Sequence, residues 1–111
     1  MTINGIRGTF ILDTGATLVS LKNGFAQKAG VEIDQASIVR LRTANGIADG
    51  KRGRAQTIQL RSLLAKDVPI VVQAGGAYGD RIDGLLGMSF LSRFNIHIDA
   101  KTVRISPRTA R

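Results

Sequence analysis

Few residues of this chain combine a reactive type with an informative setting, and the first is Asp13. It closes the apolar run Phe10-Ile11-Leu12 and is followed at once by Thr14, Gly15 and Ala16. Such a run drives itself into a core. A carboxylate delivered to its end goes where desolvation is costly. Acid–base chemistry by paired carboxylates gives that placement a purpose: one activates a water as general base, and the other serves as general acid. Two such groups close together do not ionise independently, so they share a proton and titrate as a pair.

The chain holds one Asp-Thr-Gly. Asp83, ahead of Gly84, is the nearest second candidate. It lacks the hydroxyl neighbour, and it precedes an apolar pair instead of ending an apolar strand, so it reads as a turn residue beside the site. The second carboxylate is therefore expected from Asp13 of another copy, which an isologous two-fold interface supplies automatically. An ordinary Asx-type turn after a strand is the plainer alternative for the tripeptide.

Other chemistries find little support. There is no cysteine, and His97 is the single histidine. Disulfides and thiolate metal sites are excluded, and neither a metal nor a cofactor is expected. His97 alternates with Ile96 and Ile98 and reads as a solvated strand residue. A net charge of +8 raises the question of nucleic acid. The basic residues are scattered, however, and the one dense cluster, Lys51-Arg52-Gly53-Arg54, has no aromatic within it. A solvated basic surface is the expectation, with no nucleic-acid partner. Docking on anionic lipid or nucleic acid is the rival reading, marked by steep salt dependence.

The elements that position Asp13 follow from pattern. A length of 111 residues with 43% apolar content suits one domain. No run approaches the roughly 20 apolar residues that span a bilayer, and no charged leader with an apolar segment precedes Thr2, so the chain as given reads as soluble. Met1 to Ile6 leads through a turn at Asn4-Gly5 or Arg7-Gly8 into a strand at Thr9 to Leu12, a hairpin ending at Asp13. Thr17 to Leu21 alternates as a strand. Asn23 to Gly30 reads as a short helix with Asn23 as N-cap and Gly30 as its left-handed stop. Ser37 to Thr43 and Gln56 to Leu60 flank a glycine-rich, polar stretch at Ala44 to Gly53, giving a long hairpin with a flexible tip. Val68 to Val72 is an apolar strand starting near Pro69, and Ala74 to Asp80 is a loop. After Leu85-Leu86-Gly87, Ser89 to Phe94 forms a short helix. Asn95 to Asp99, with Ile96 and Ile98 inward and Asp99 starting the turn, pairs with Val103 to Ile105. The domain is expected over 1–106 and a disordered tail over 107–111. Many short strands, little helix and frequent glycine turns point to an all-β, barrel-like domain.

Asp13-Thr14-Gly15-Ala16 after an apolar run resembles the active-site motif of aspartic proteases. Leu85-Leu86-Gly87, followed by a helix with Phe90-Leu91, resembles the hydrophobic-hydrophobic-glycine motif that completes their core. A long hairpin stands between the two in the position of the flap. The single-lobe length is similar to that of the retropepsins, and more narrowly to bacterial retropepsin-like proteases. The resemblance implies an acid-protease barrel with one or two short helices. It implies an aspartic endopeptidase, a homodimer acting on a peptide or protein substrate. It also implies a full-length protein that can be anchored in a bacterial inner membrane with the domain in the periplasm.

By the same resemblance, Asp13 is catalytic, Thr14 hydrogen-bonds across the dimer, the Gly15 N–H bonds the carboxylate, and Ala16 leaves room for the substrate backbone. Ala44, Asn45, Gly46 and Ile47 form the flap tip. Leu85, Leu86 and Gly87 form the second-motif core. Viral members carry an acidic residue and an arginine where this chain has Thr17 and Met88, so that ion pair is missing. They also begin with an additional strand that this chain does not show. A non-catalytic peptide-binding or dimerisation domain of the same fold is the alternative.

Overall fold

The structure, a computed structural model, describes residues 1–43, 46–73 and 81–108. Strands β1 (Thr2–Ile3) and β2 (Ile6–Arg7) form a tight hairpin. Its two turn residues, Asn4 and Gly5, both have positive φ, as a two-residue turn matched to strand twist requires. Then come β3 (Phe10–Leu12), β4 (Val19–Lys22) and helix α1 (Asn23–Ala29). Gly30 stops the helix in the left-handed conformation, as expected. Asn23 is not the N-cap: Lys22 takes that position, without a side-chain cap. The long strands β5 (Glu32–Thr43), β6 (Gly46–Leu60) and β7 (Leu63–Gln73) follow, then β8 (Gly84–Leu86), α2 (Met88–Leu91), β9 (Phe94–Ile98) and β10 (Val103–Pro107).

Eight strands make one sheet in the order β2-β1-β6-β7-β4-β8-β3, with β5 also on β6. Two pairings differ from the sequence-based expectation. β3 does not continue the first hairpin. It lies parallel to β8, with Phe10 opposite Gly84, Ile11 opposite Leu85 and Leu12 opposite Leu86. The glycine-rich stretch after residue 45 is not a loop but the first half of β6. A ladder to β5 along its length, joined by β7 from Gly50 onward, overrides its weak intrinsic preference for strand. Residues 44–45 and 74–80, read as part of the hairpin tip and as a loop, lie outside the described residues.

β7 also begins six residues before Pro69. Pro69 is tolerated because of where its missing N–H points. Within a strand, the N–H and C=O of one residue face the same side. The Pro69 carbonyl accepts from Ser89 Oγ at 2.7 Å, on the β4 side, since the Val19 N–H donates to that same hydroxyl. The β4 ladder starts only at Ile70, so no ladder bond is lost on either side.

The core packs under this sheet. Val19, Leu21, Ile58, Ile70, Phe90 and Leu91 are fully buried. The Phe10 and Phe25 rings meet edge to face with centroids 5.5 Å apart, a favoured aromatic geometry. β9 and β10 form a separate two-stranded sheet. Ile96 and Ile105 pack against the core, but Ile98, expected inward, is 55% exposed beside its partner Val103. At that end of the hairpin no core lies beneath it. Pro107 pairs with Phe94, and the Arg108 guanidinium donates to the Ser92 carbonyl. Ordered structure thus runs two residues past the expected boundary, and residues 109–111 lie outside the described residues.

Asp99 starts the β9–β10 turn as its sequence suggested. One carboxylate oxygen accepts the N–H groups of Lys101 and Thr102, each at 2.9 Å, and the Thr102 hydroxyl bonds the carboxylate as well. The Lys101 N–H, then the two Thr102 donors, hold this carboxyl below its ordinary value of 3.8. A depressed folded value means that the support is present at neutral pH and is withdrawn as acid protonates the group. Amide exchange at Lys101 and Thr102 is expected to accelerate, relative to the Ile58 and Ile70 amides, only when pH falls below the usual carboxylate range. NMR exchange on an acid series checks this.

Candidate active site

Three strands position Asp13. The parallel β3–β8 ladder carries the chain to it, and the Asp13 N–H extends that ladder by donating to the Leu86 carbonyl at 3.1 Å. The chain then turns. The Ala16 N–H donates to the Asp13 carbonyl at 3.1 Å, and the Gly15 N–H donates to the Asp13 carboxylate at 2.9 Å. That last bond is the one implied for Gly15. The Met88 N–H donates to the Ala16 carbonyl at 2.8 Å. The segments carrying Thr17 and Met88 are therefore joined by backbone where an ion pair was missing. The Val19 N–H donates to Ser89 Oγ at 2.9 Å, a second tie between the Asp13 loop and α2. Asp13 and Ala16 are half-buried, while Thr14 and Gly15 are exposed.

The second motif divides by strand alternation. Leu86 is buried in the core, and Leu85 turns to the opposite face. Gly87 is closely pressed. A Cβ there would lie 2.3 Å from the Leu18 carbonyl oxygen and 2.8 Å from that of Ala16. At Gly84 it would lie 1.9 Å from the Ser20 carbonyl oxygen. Both distances are below any real Cβ contact, so these glycines let β8 and the Asp13 loop approach.

Asp83 is occupied structurally. Its carboxylate accepts from the Thr9 N–H at 2.9 Å and lies 3.4 Å from Lys22 Nζ. Its backbone bonds Thr9 and Lys22. It clamps the start of β3 to the end of β4 and is committed there. The expected cost of Asp83→Ala is about 1 kcal/mol, because the Thr9 N–H loses a hydrogen bond to a charged acceptor. Urea unfolding of the variant measures it.

Asp13 opens onto a cleft of about 430 Å³ whose walls include Ala16, Ser20, Val39, Val71 and Leu85. Two polar lining residues escaped sequence reading: Ser20 and Gln73. Ser20 and Gln73 are buried, and Gln73 Nε2 donates to Ser20 Oγ at 3.2 Å. Gln73 Oε1 has no partner among the described residues. The available signal was a polar residue inside an apolar strand, Ser20 between Val19 and Leu21, and Gln73 ending Val68 to Val72. A second hollow of about 530 Å³, lined by Asn23, Ile38, Lys51 and Val72 among others, includes no residue of the Asp13 loop.

The β5–β6 hairpin closes between Thr43 and Gly46. Gly46 and Ile47 begin β6, and Ile47 is 70% exposed; Ala44 and Asn45 fall outside the described residues. Among the described residues, no group of three or more His, Cys, Asp or Glu side chains could hold a metal, and no helix is long and apolar enough to cross a membrane.

A curled sheet ending in an Asp-Thr-Gly turn against a Leu-Leu-Gly strand defines the retropepsin-like fold. The chain superposes on a retropepsin-like aspartic protease from Rickettsia conorii with a TM-score of 0.70 and 28% identity, covering 93% of this chain and 76% of that one. Residues 1–93 match the family described as "gag-polyprotein putative aspartyl protease", and the chain belongs to that family. It is also 33% identical over 92 residues to a Sinorhizobium protein described as "Uncharacterized protein in cobV 5'region". That match covers 82% of this chain and 38% of the relative's length.

Proposed function

We propose that this chain is one half of an aspartic endopeptidase. Two copies meet about a two-fold axis, and the two Asp13 carboxylates share a proton. One activates a water, and the other protonates the carbonyl oxygen of the scissile peptide bond. The observation that carries this reading is one carboxylate, held by the Gly15 N–H on a braced turn, at the mouth of one cleft. Asp83, the nearest second candidate in sequence, is committed to Thr9 and Lys22. The exposure of Thr14 and Gly15 suits surfaces that a partner covers. In this reading Thr14 bonds across the axis. The β5–β6 hairpin is the flap, with Ala44, Asn45, Gly46 and Ile47 at its tip, and it closes over a substrate lying as an extended strand. Excluding water strengthens the electrostatics of the pair. An inner-membrane anchor in the full-length protein, with the domain in the periplasm, rests on family likeness alone; cell fractionation tests it.

The purified protein, incubated with an unfolded protein substrate at acidic and neutral pH, is expected to cleave it. Asp13→Ala is expected to abolish cleavage. A dimer that binds peptides but cleaves none at any pH or concentration would instead mark a binding domain of the same fold.

A further inference from the structure

The basic cluster Lys51-Arg52-Gly53-Arg54 is divided by strand alternation, and only one of its cations reaches the Asp13 cleft. Lys51 points to the other face of β6, where it lines the second hollow and its Nζ donates to Gln35 Oε1 at 2.5 Å. Arg54 stands opposite Glu32 on β5, in a shallow hollow that Asp34 also borders. Arg52 shares that hollow but also lines the Asp13 cleft.

The ladders place Arg52 in register with the site. Arg52 is opposite Val71, Val71 opposite Ser20, Ser20 opposite Leu85, and Leu85 opposite Ile11. This row crosses five strands, and Asp13 follows Ile11 by two residues, the period that returns a side chain to the same face. Four strand spacings make about 19 Å on a flat sheet, and the curl of the sheet shortens that. At about 3.3 Å per residue of extended substrate, Arg52 faces a side chain a few residues from the scissile bond.

Among the described residues Arg52 makes no ion pair or side-chain hydrogen bond, with Glu32 and Asp34 included. Among the described residues, the ionisable groups lining the cleft are Asp13, Arg40 and Arg52, two cations to one carboxylate. Arg52 is exposed, with buried Val71 opposite it on β7, so its guanidinium is open to an arriving carboxylate. The planar guanidinium matches a carboxylate through two parallel hydrogen bonds.

We propose that Arg52 is a specificity-determining residue, selecting peptides with an aspartate or glutamate within about six residues of the scissile bond. The inference rests on the peptidase reading for its biological meaning. Because an isologous dimer presents two identical half-clefts, the preference applies on both sides of the bond.

The test uses extended peptides with an apolar central pair and either Glu or Gln at each flanking position in turn. Binding is measured on the Asp13→Asn protein and cleavage on the protein with Asp13 intact. Glu peptides are expected to bind roughly two- to fivefold tighter than their Gln counterparts at one position on each side, since an exposed ion pair is worth about that factor. Arg52→Gln is expected to erase the difference, and Arg52→Glu to turn it toward Lys peptides. Equal binding of Glu and Gln peptides overturns the inference, as does no peptide binding at all. A preference that survives Arg52→Gln, or one that is equal at every position and vanishes with salt, does the same. A position-specific preference lost in Arg52→Gln, on a protein that cleaves nothing, would uphold Arg52 while removing the peptidase reading.

Discussion

Asp13→Asn is expected to lower peptide hydrolysis by at least about 10⁴-fold while leaving the fold and the dimer intact. General acid–base catalysis by one positioned side chain contributes about 10²–10⁴, and in a symmetric dimer one substitution removes both partners. Asparagine keeps an oxygen where the Gly15 N–H donates, and its backbone still reaches Leu86 and Ala16. Stability should therefore stay within about 0.5 kcal/mol of the parent, as for substitutions that break no core contact. Association should change little, because the shared proton already leaves the pair with a single charge. Cleavage assays read the first effect, and sedimentation with urea unfolding reads the others. Retained hydrolysis would remove Asp13 from the chemistry. Lost hydrolysis together with lost folding would make it a structural turn residue.

Gly87→Ala is expected to damage activity severely. The added carbon meets backbone alone: the Leu18 carbonyl oxygen and carbon at 2.3 and 2.7 Å, and the Ala16 oxygen at 2.8 Å. No flexible side chain can give way, so residues 16–18 must move. Ala16 is the hinge of the site, accepting from the Met88 N–H while donating to the Asp13 carbonyl. A displacement there is passed to the carboxylate. Overpacking costs about 1–3 kcal/mol, and about 1 Å of misplacement can cost 10²-fold in rate. Gly24→Ala is the matched control. It lies in α1 with nothing within 4 Å of the added carbon, and it should be neutral or stabilising by up to about 1 kcal/mol. Thermal unfolding and cleavage rates on the two variants separate a local clash from a general intolerance of alanine.

The legible parts of the site were those encoded in short segments. Asp13 at the end of an apolar run, Gly15 behind it and Leu86 before a helix all stand where their local pattern put them. The left-handed stop at Gly30 and the Asp99 turn were legible for the same reason. Long-range pairing was not. Nothing in Phe10-Ile11-Leu12 specifies a parallel neighbour 74 residues away, since Phe10 pairs with Gly84 only through the register of β8. The stretch from Gly46 to Gly53 reads as a loop by composition. It becomes a strand because β5 pairs along it and β7 joins from Gly50 onward, a tertiary effect that outweighs propensity. The division of Lys51 from Arg52 follows from alternation, but only once the segment is known to be a strand. Ser20 and Gln73 were visible as polar interruptions of apolar runs. Their meeting at 3.2 Å depends on the parallel β4–β7 ladder.

Mixing subunits tests the half-site most directly. Intact and Asp13→Asn chains are unfolded together, refolded at fixed total protein, and assayed as the intact fraction varies. A catalytic pair shared across the axis requires two intact subunits, so activity should follow the square of that fraction, with about a quarter remaining in an equal mixture. A linear decline, with about half remaining, would mean that each chain works alone and would contradict a site built from two copies of Asp13.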